Sequence, residues 1–132
     1  MQTRLSAKFE VTSWDETPFD DEDPSRPKVT RALVTKEYSG DIEGSSTTQW
    51  LMAYAEDGSA TFVGLERITA RFAAEEGTLV LQHVGSYEDG AAKAQLSVLE
   101  GANSGDLKGT TGSGEFLADP GGSVTLTLTS PG

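Results

Sequence analysis

Apolar and polar residues alternate with a period of two along most of this chain, and short clusters of Gly, Asp, Asn and Pro separate the alternating segments. This pattern is typical of β-strands with one buried and one exposed face. It predicts eight strands, at Ser6–Ser13, Val29–Tyr38, Thr47–Ala55, Ala60–Phe72, Thr78–Ser86, Ala92–Leu99, Asp106–Thr111 and Ser123–Thr129. Eight strands are enough to close a small barrel, so we expect an all-β fold, a single eight-stranded, mostly antiparallel β-barrel over residues 1–132.

Composition and charge narrow the classes of function. The chain of 132 residues has 21 acidic and 10 basic residues and a formal net charge of −11, which argues against binding to nucleic acid or to an anionic membrane surface. It has no cysteine and one histidine, which excludes thiolate chemistry and every site that needs two histidines. No segment is apolar enough for a transmembrane helix, and Met1–Lys8 lacks the apolar centre of a signal peptide, so we expect a cytoplasmic protein.

Residues 15–28 form a distinct segment that contains six acidic residues and three prolines. The prolines predict a loop. Clustered carboxylates are ligands that Ca²⁺ prefers, but their spacing matches no calcium-binding loop and the segment has no glycine for a sharp turn. We therefore interpret the segment as a solvated acidic loop, and we expect neither a metal nor a cofactor.

The predicted turns fix which side chains share a face of the sheet, because a tight turn sets the register of the strands it joins. The main assumption is that Ala55 lies opposite Ala60. The apolar residues then assigned to the barrel interior are Leu51, Ala53, Phe62, Gly64, Ile68, Ala70, Phe72, Leu79, Leu81, Ala92, Ala94, Leu96 and Val98, and the polar ones are Gln49, Glu66 and His83. The outer face then carries Trp50, Met52 and Tyr54, which need a cover. Either a second copy in a homodimer or higher homo-oligomer, or the N-terminal segment with Trp14 and Phe19, would provide it.

An ionisable pair on an apolar face is the most informative feature of the sequence. Glu66 and His83 are predicted on adjacent strands, close enough for their side chains to meet. They are either a satisfied pair in the core or the polar anchor of a ligand cavity lined by Gln49, Leu51 and Phe62. A third interpretation is catalytic, with Glu66 as general acid/base and His83 tuning its pKa.

Several segments together carry a resemblance to a known family. They are Phe9–Glu16, Ser39–Gly44, Leu51–Tyr54, Phe62–Arg67 and Leu81–Gly85. In this order they resemble the bacterial family called domain of unknown function 3224. That family is similar to the allene oxide cyclase-like, calycin-like and dirigent-type barrels, to which the glycine-rich stretch Gly105–Gly114 is also similar. The resemblance implies an eight-stranded barrel with a central cavity.

Three functions are compatible with these observations. The first is a small barrel that binds a small, largely apolar metabolite, with Glu66 and His83 as polar anchors. The second is a cofactor-independent isomerase or cyclase that acts on such a metabolite. The third is a non-catalytic structural or interaction protein with a filled barrel. The same architecture hosts carriers and catalysts, so the fold does not decide among them.

Overall fold

The computed structural model describes residues 2–21, 23–119 and 121–131. Nine strands make up almost all of the regular structure in these residues. They are β1 (Gln2–Pro18), β2 (Val29–Gly40), β3 (Ile42–Tyr54), β4 (Ala60–Phe72), β5 (Glu75–Glu88), β6 (Ala91–Val98), β7 (Ser104–Gly105), β8 (Thr111–Asp119) and β9 (Gly121–Thr129). A short 3₁₀ helix, Glu100–Ala102, follows β6.

Eight of these strands close into an antiparallel barrel. The order around the wall is β1, β2, β3, β4, β5, β6, β8 and β9, and β9 pairs back to β1. The two-residue strand β7 adds to the start of β5. Each of the eight strands pairs with two neighbours, although β1 beyond Phe9 pairs with β2 alone, and alternate residues of each strand form the core. The predicted fold class is confirmed. No helix in the described part of the chain is both long enough and apolar enough to cross a membrane.

The seventh predicted strand is wrong. Residues 106–111 form mainly a turn, and the wall strand is β8, which begins at Thr111. The glycines of β8 let neighbouring strands pack closely, since a Cβ atom at Gly114 would lie 2.0 Å from the carbonyl oxygen of Thr125.

The predicted face of β3 is also wrong. Tyr54, and not Ala55, lies opposite Ala60. Because side chains alternate along a strand, this slip of one residue exchanges the two faces of β3. Gln49, Leu51 and Ala53 therefore point outward, and Trp50 and Met52 are buried in the barrel. These two buried side chains cannot form the subunit interface that the sequence predicted on the outer surface.

The inner faces of β4, β5 and β6 agree with the prediction. The predicted pairing of β4 with β5 is displaced, since Ile68 lies opposite Leu79 and not opposite His83. The displacement is an even number of residues, so the faces are unchanged. Phe62, Glu66 and His83 are all buried inside the barrel.

The loop within the acidic segment is shorter than predicted. β1 continues to Pro18 and β2 begins at Val29, so Asp15 and Glu16 belong to a strand. The loop between these strands spans residues 19–28. Glu22, which the prediction included, lies outside the described residues.

Four aromatic side chains of the interior lie directly opposite a glycine on the neighbouring strand. The pairs are Phe9 with Gly122, Tyr38 with Gly44, Trp50 with Gly64, and Phe62 with Gly85. At Gly64, Gly85 and Gly122 the ring occupies the space that a side chain at the glycine would fill. A Cβ atom at Gly122, for example, would lie 2.6 Å from the Phe9 ring. Because large side chains are paired with glycines in this way, many aromatic rings fit into a small barrel.

We expect Gly64→Ala to destabilise the barrel by about 1–3 kcal/mol, because the added methyl group overpacks the interior. Its Cβ atom would lie 2.0 Å from the carbonyl oxygen of Gln49 and 2.8 Å from the Trp50 ring. Gly101→Ala is the matched control, since nothing lies within 4 Å of its added Cβ atom. Urea unfolding of both variants measures the difference, and equal stabilities would contradict the packing described.

Candidate functional site

The barrel interior contains a cluster of polar side chains contributed by β2, β3, β4 and β5. Its members are Lys36, Tyr38, Ser46, Thr48, Trp50, Glu66 and His83, and all of them are buried. They lie inside because each occupies an inward position in the alternation of its strand. Buried charges are rare in proteins unless they are paired or functional, so this cluster is the candidate site.

Glu66 is the acceptor at the centre of this cluster. Its Oε2 accepts hydrogen bonds from Tyr38 Oη and Ser46 Oγ, both at 2.6 Å, and lies 3.6 Å from Lys36 Nζ. Its Oε1 lies 2.8 Å from His83 Nε2. Burial alone would raise the pKa of this carboxyl, but the charge of Lys36 and the donated hydrogen bonds lower it to about 2. Glu66 is therefore ionised at neutral pH.

His83 links this carboxylate to Trp50. The indole Nε1–H can only donate, and it lies 3.1 Å from His83 Nδ1, so Nδ1 is an acceptor. The imidazole proton is therefore on Nε2, which donates to Glu66. Burial lowers the pKa of His83, although Glu66 opposes the shift, and the ring is neutral.

Gly64 makes this link geometrically feasible. In register it lies between Trp50 on β3 and His83 on β5. Because Gly64 has no side chain, the indole ring passes over it and reaches the imidazole two strands away. The cross-strand packing of the barrel wall thus determines the hydrogen bonding of the site.

Lys36 is the buried cation of the cluster, and its side chain is only 1% exposed. Its ammonium lies 4.5 Å from the ring centre of Phe9, 5.1 Å from that of Phe116 and 5.2 Å from that of Trp50. Aromatic faces attract a desolvated cation. Burial lowers the pKa of Lys36, and Glu66 opposes this shift. Sequence reasoning missed Lys36, although alternation along β2 with the apolar residues Ala32 and Val34 could have revealed its inward position.

Two buried polar atoms have no hydrogen-bond partner among the described residues. They are Lys36 Nζ and Thr48 Oγ1. Thr48 lies next to Glu66 in the pairing of β3 with β4. Buried polar groups are nearly always hydrogen-bonded, so each unpaired group requires an explanation. By contrast, both oxygens of Glu66 and both ring nitrogens of His83 have protein partners.

Aromatic side chains surround this polar cluster. Phe116 on β8 contacts Phe9, Trp50, Phe62 and His83, with ring centres 5.4–6.2 Å apart. The interior therefore consists of packed rings around a few polar atoms. The structure brings Phe62 into this group as predicted, whereas Gln49 and Leu51 lie on the outside of the wall.

Trp14 lies over one end of the barrel. A β-bulge between Val11 and Ser13 shifts the register of β1, so Trp14 lies opposite the buried Val34 and packs against Trp50, with ring centres 5.6 Å apart. Trp14 itself is 46% exposed. The pairing of β1 with β9 ends at Phe9, before the bulge, so the wall is open beside Trp14.

A second polar group lies at this open end. Glu16 accepts hydrogen bonds from Tyr54 Oη at 2.5 Å, Thr30 Oγ1 at 2.6 Å and Trp14 Nε1 at 3.0 Å. Burial and the Glu16 carboxylate raise the pKa of Tyr54 to about 12. Tyr54 is thus a partly buried residue of the barrel end and does not belong to an exposed outer face.

Several grooves lie outside the barrel interior. One, of about 930 Å³, is lined by residues 16–21, 23, 24 and 26–30 at the β1–β2 loop. Another, of about 710 Å³, crosses the outer face of β2, β3 and β4, where Leu51, Val63 and Leu65 meet Phe19. Neither groove contains the buried charges. Among the described residues, no three His, Asp or Glu side chains converge in a way that could hold a metal ion.

The fold and its interior define a closed antiparallel β-barrel with an ion pair inside an aromatic core. A family model described as "Protein of unknown function (DUF3224)" matches residues 5–129, so this chain belongs to that family. A crystal structure of a protein with unknown function from the same family, from Shewanella oneidensis MR-1, is similar over 100% of both chains, with 23% identity and a TM-score of 0.79. At this identity the likeness shows the fold alone. No curated protein matches the chain.

We expect Glu66→Gln to lower the free energy of unfolding by about 3–5 kcal/mol, because it leaves the buried Lys36 without its counter-charge. The double variant with Lys36→Met should cost less than the sum of the two single changes. Urea unfolding of the three variants gives the coupling energy.

Glu43→Gln is the control for this cycle. Glu43 forms an exposed pair with Arg71, and its loss should cost less than about 1 kcal/mol. Additive effects of the changes at positions 36 and 66 would contradict a coupled buried pair.

We also expect the free energy of unfolding to fall as the pH is lowered from neutral. A glutamate in the unfolded chain titrates near 4.5 and folded Glu66 at about 2, so its contribution is complete above pH 4.5 and is lost as the pH falls towards 2. His83 acts in the same direction below pH 6.5, because the unfolded chain takes up a proton before the folded one.

Urea unfolding over this pH range measures the effect. The Glu66→Gln variant should lose part of the decline between pH 4.5 and 2. Parallel profiles for the variant and the unchanged protein would show that Glu66 is not the group responsible.

Proposed function

We propose that this protein binds one small, neutral and largely apolar molecule inside its barrel, with a polar oxygen of that molecule bound to Lys36. One observation carries the proposal. Lys36 Nζ and Thr48 Oγ1 are buried polar atoms without a hydrogen-bond partner among the described residues. A ligand oxygen would supply the acceptor that the ammonium lacks.

The surroundings of Lys36 support an apolar ligand body. Rings of Phe9, Trp50 and Phe116 face the ammonium. A ligand next to this group would contact aromatic carbon on most sides, and burial of its apolar surface would provide most of the binding free energy.

The charges of the site support a neutral ligand. The positive charge of Lys36 is matched by the negative charge of Glu66 at 3.6 Å, and His83 is neutral. A carboxylate or phosphate on the ligand would place a second, unmatched negative charge in this interior. A carbonyl, ether or hydroxyl oxygen would accept a hydrogen bond without changing the balance.

Glu66 and His83 act in this proposal by holding Lys36 in place. The pKa of about 2 makes Glu66 a weak base, and its two oxygens already have four polar neighbours, Lys36, Tyr38, Ser46 and His83. This arrangement supports a role in positioning the ammonium rather than in abstracting a proton from a ligand.

Trp14 is the proposed cover of the access route. It lies over Trp50 at the end where β1 no longer pairs with β9. Val11, the cross-strand neighbour of Lys36, is 48% exposed at the same place. A small molecule that displaces the indole ring of Trp14 would reach Trp50, whose ring centre lies 5.2 Å from Lys36 Nζ.

Cyclohexanone and cyclohexane provide a matched pair of probes, since they have the same ring and differ in one oxygen. We expect the protein to bind cyclohexanone at least about tenfold more tightly, as a hydrogen bond from a charged donor contributes roughly 1.5–3 kcal/mol. Fluorescence of Trp14 and Trp50, together with the thermal unfolding temperature, measures binding.

Lys36→Met should abolish the preference for cyclohexanone, and Lys93→Met, which removes a charge on the exposed face of β6, should retain it. Thr48→Val preserves the shape of the side chain and the charge of the site. This variant is therefore expected to fold and provides a second test of the site. Equal affinity for both probes, or a preference that survives Lys36→Met, would overturn the proposal.

A further inference from the structure

Lys36 differs from the other lysines of this chain in its surroundings. Lys8, Lys28, Lys93 and Lys108 are exposed, whereas Lys36 is buried among aromatic rings. Its Nζ has no hydrogen-bond acceptor among the described residues, and its one charged neighbour is the carboxylate of Glu66 at 3.6 Å. The amine is thus buried next to a carboxylate that matches its charge.

We propose that Lys36 captures an aldehyde or a ketone in the barrel as a protonated imine, with Glu66 as its counter-ion. This inference rests on the proposed function, because the captured molecule is the neutral ligand with a polar oxygen. It adds the chemical class of that ligand and the bond that holds it.

The reaction balances without any further reactant. Lys36 Nζ first loses a proton to solvent, and the nitrogen lone pair then attacks the carbonyl carbon. A C–N bond forms, the carbonyl π electrons move to oxygen, and a proton moves from nitrogen to that oxygen to give a carbinolamine. The hydroxyl group leaves as water with a proton regained from solvent, as the nitrogen lone pair forms the C=N bond.

The charges before and after this reaction are the same. One ammonium and one carbonyl become one iminium and one water molecule, and Glu66 stays ionised. The positive charge stays close to the carboxylate and to the rings of Phe9, Trp50 and Phe116. The site therefore stabilises the product by the same ion pair and cation–π contacts that stabilise the free lysine.

Two other features support reaction at this lysine. Burial lowers the pKa of Lys36, which increases the fraction of free amine relative to an exposed lysine. Tyr38 and Ser46 hold Glu66 Oε2 from the side, so the carboxylate stays next to Nζ throughout.

Reductive trapping tests the proposal. The full-length protein is incubated with benzaldehyde and sodium cyanoborohydride, and the modified lysines are identified by peptide mass mapping. We expect Lys36 to be labelled at least about tenfold faster than each exposed lysine, since the barrel holds the bound carbonyl against this amine. Labelling that follows exposure, with Lys36 the slowest, would overturn the proposal.

Lys36→Met should lose the rapid label and Lys93→Met should keep it. Cyclohexanone binding, measured by tryptophan fluorescence without reductant, separates this inference from the proposed function. Binding that depends on Lys36 but gives no label there with either carbonyl compound would refute the imine alone. Absence of both binding and label at Lys36 would refute both proposals.

Discussion

The ion pair between Lys36 and Glu66 is the interaction on which the interior of this barrel depends. A buried ammonium or carboxylate alone would be strongly unfavourable, and the two groups are tolerated because each offsets the other. Tyr38, Ser46 and His83 donate hydrogen bonds to the two oxygens of the carboxylate. Four strands contribute to this one network, so the wall from β2 to β5 must be in register for the charges to be matched.

The aromatic rings around the pair fit because the wall provides glycines at defined positions. Phe9 and Trp50 each lie over a glycine on the next strand, and together with Phe116 they converge on the ammonium from β1, β3 and β8. Packing and electrostatics are therefore coupled. A side chain at Gly64 would displace Trp50, which both donates to His83 and faces Lys36.

The sequence predicted the barrel because alternation and turn signals are local properties. It also placed Glu66, His83 and Phe62 inside. The predicted registers of the strands that carry these residues were either correct or displaced by an even number of residues, which leaves the faces unchanged. Gln49 and Leu51 were misplaced because the loop before Ala60 was assigned one residue too short, an error that only the main-chain pairing reveals. Lys36 was missed because a charged residue at an inward position contradicts the usual preference, although its strand showed the alternation.

The β-bulge at Val11 and Ser13 divides β1 into two mechanically different halves. Below it, residues 2–9 pair with β9, residues 7–9 pair with β2 as well, and this half forms part of the closed wall. Above it, the strand pairs with β2 alone and carries Trp14 against Trp50. Because β2 is bonded to β3 along this length, uncovering the interior here requires movement of the upper half of β1 alone, and that half has no main-chain hydrogen bonds to β9 to break.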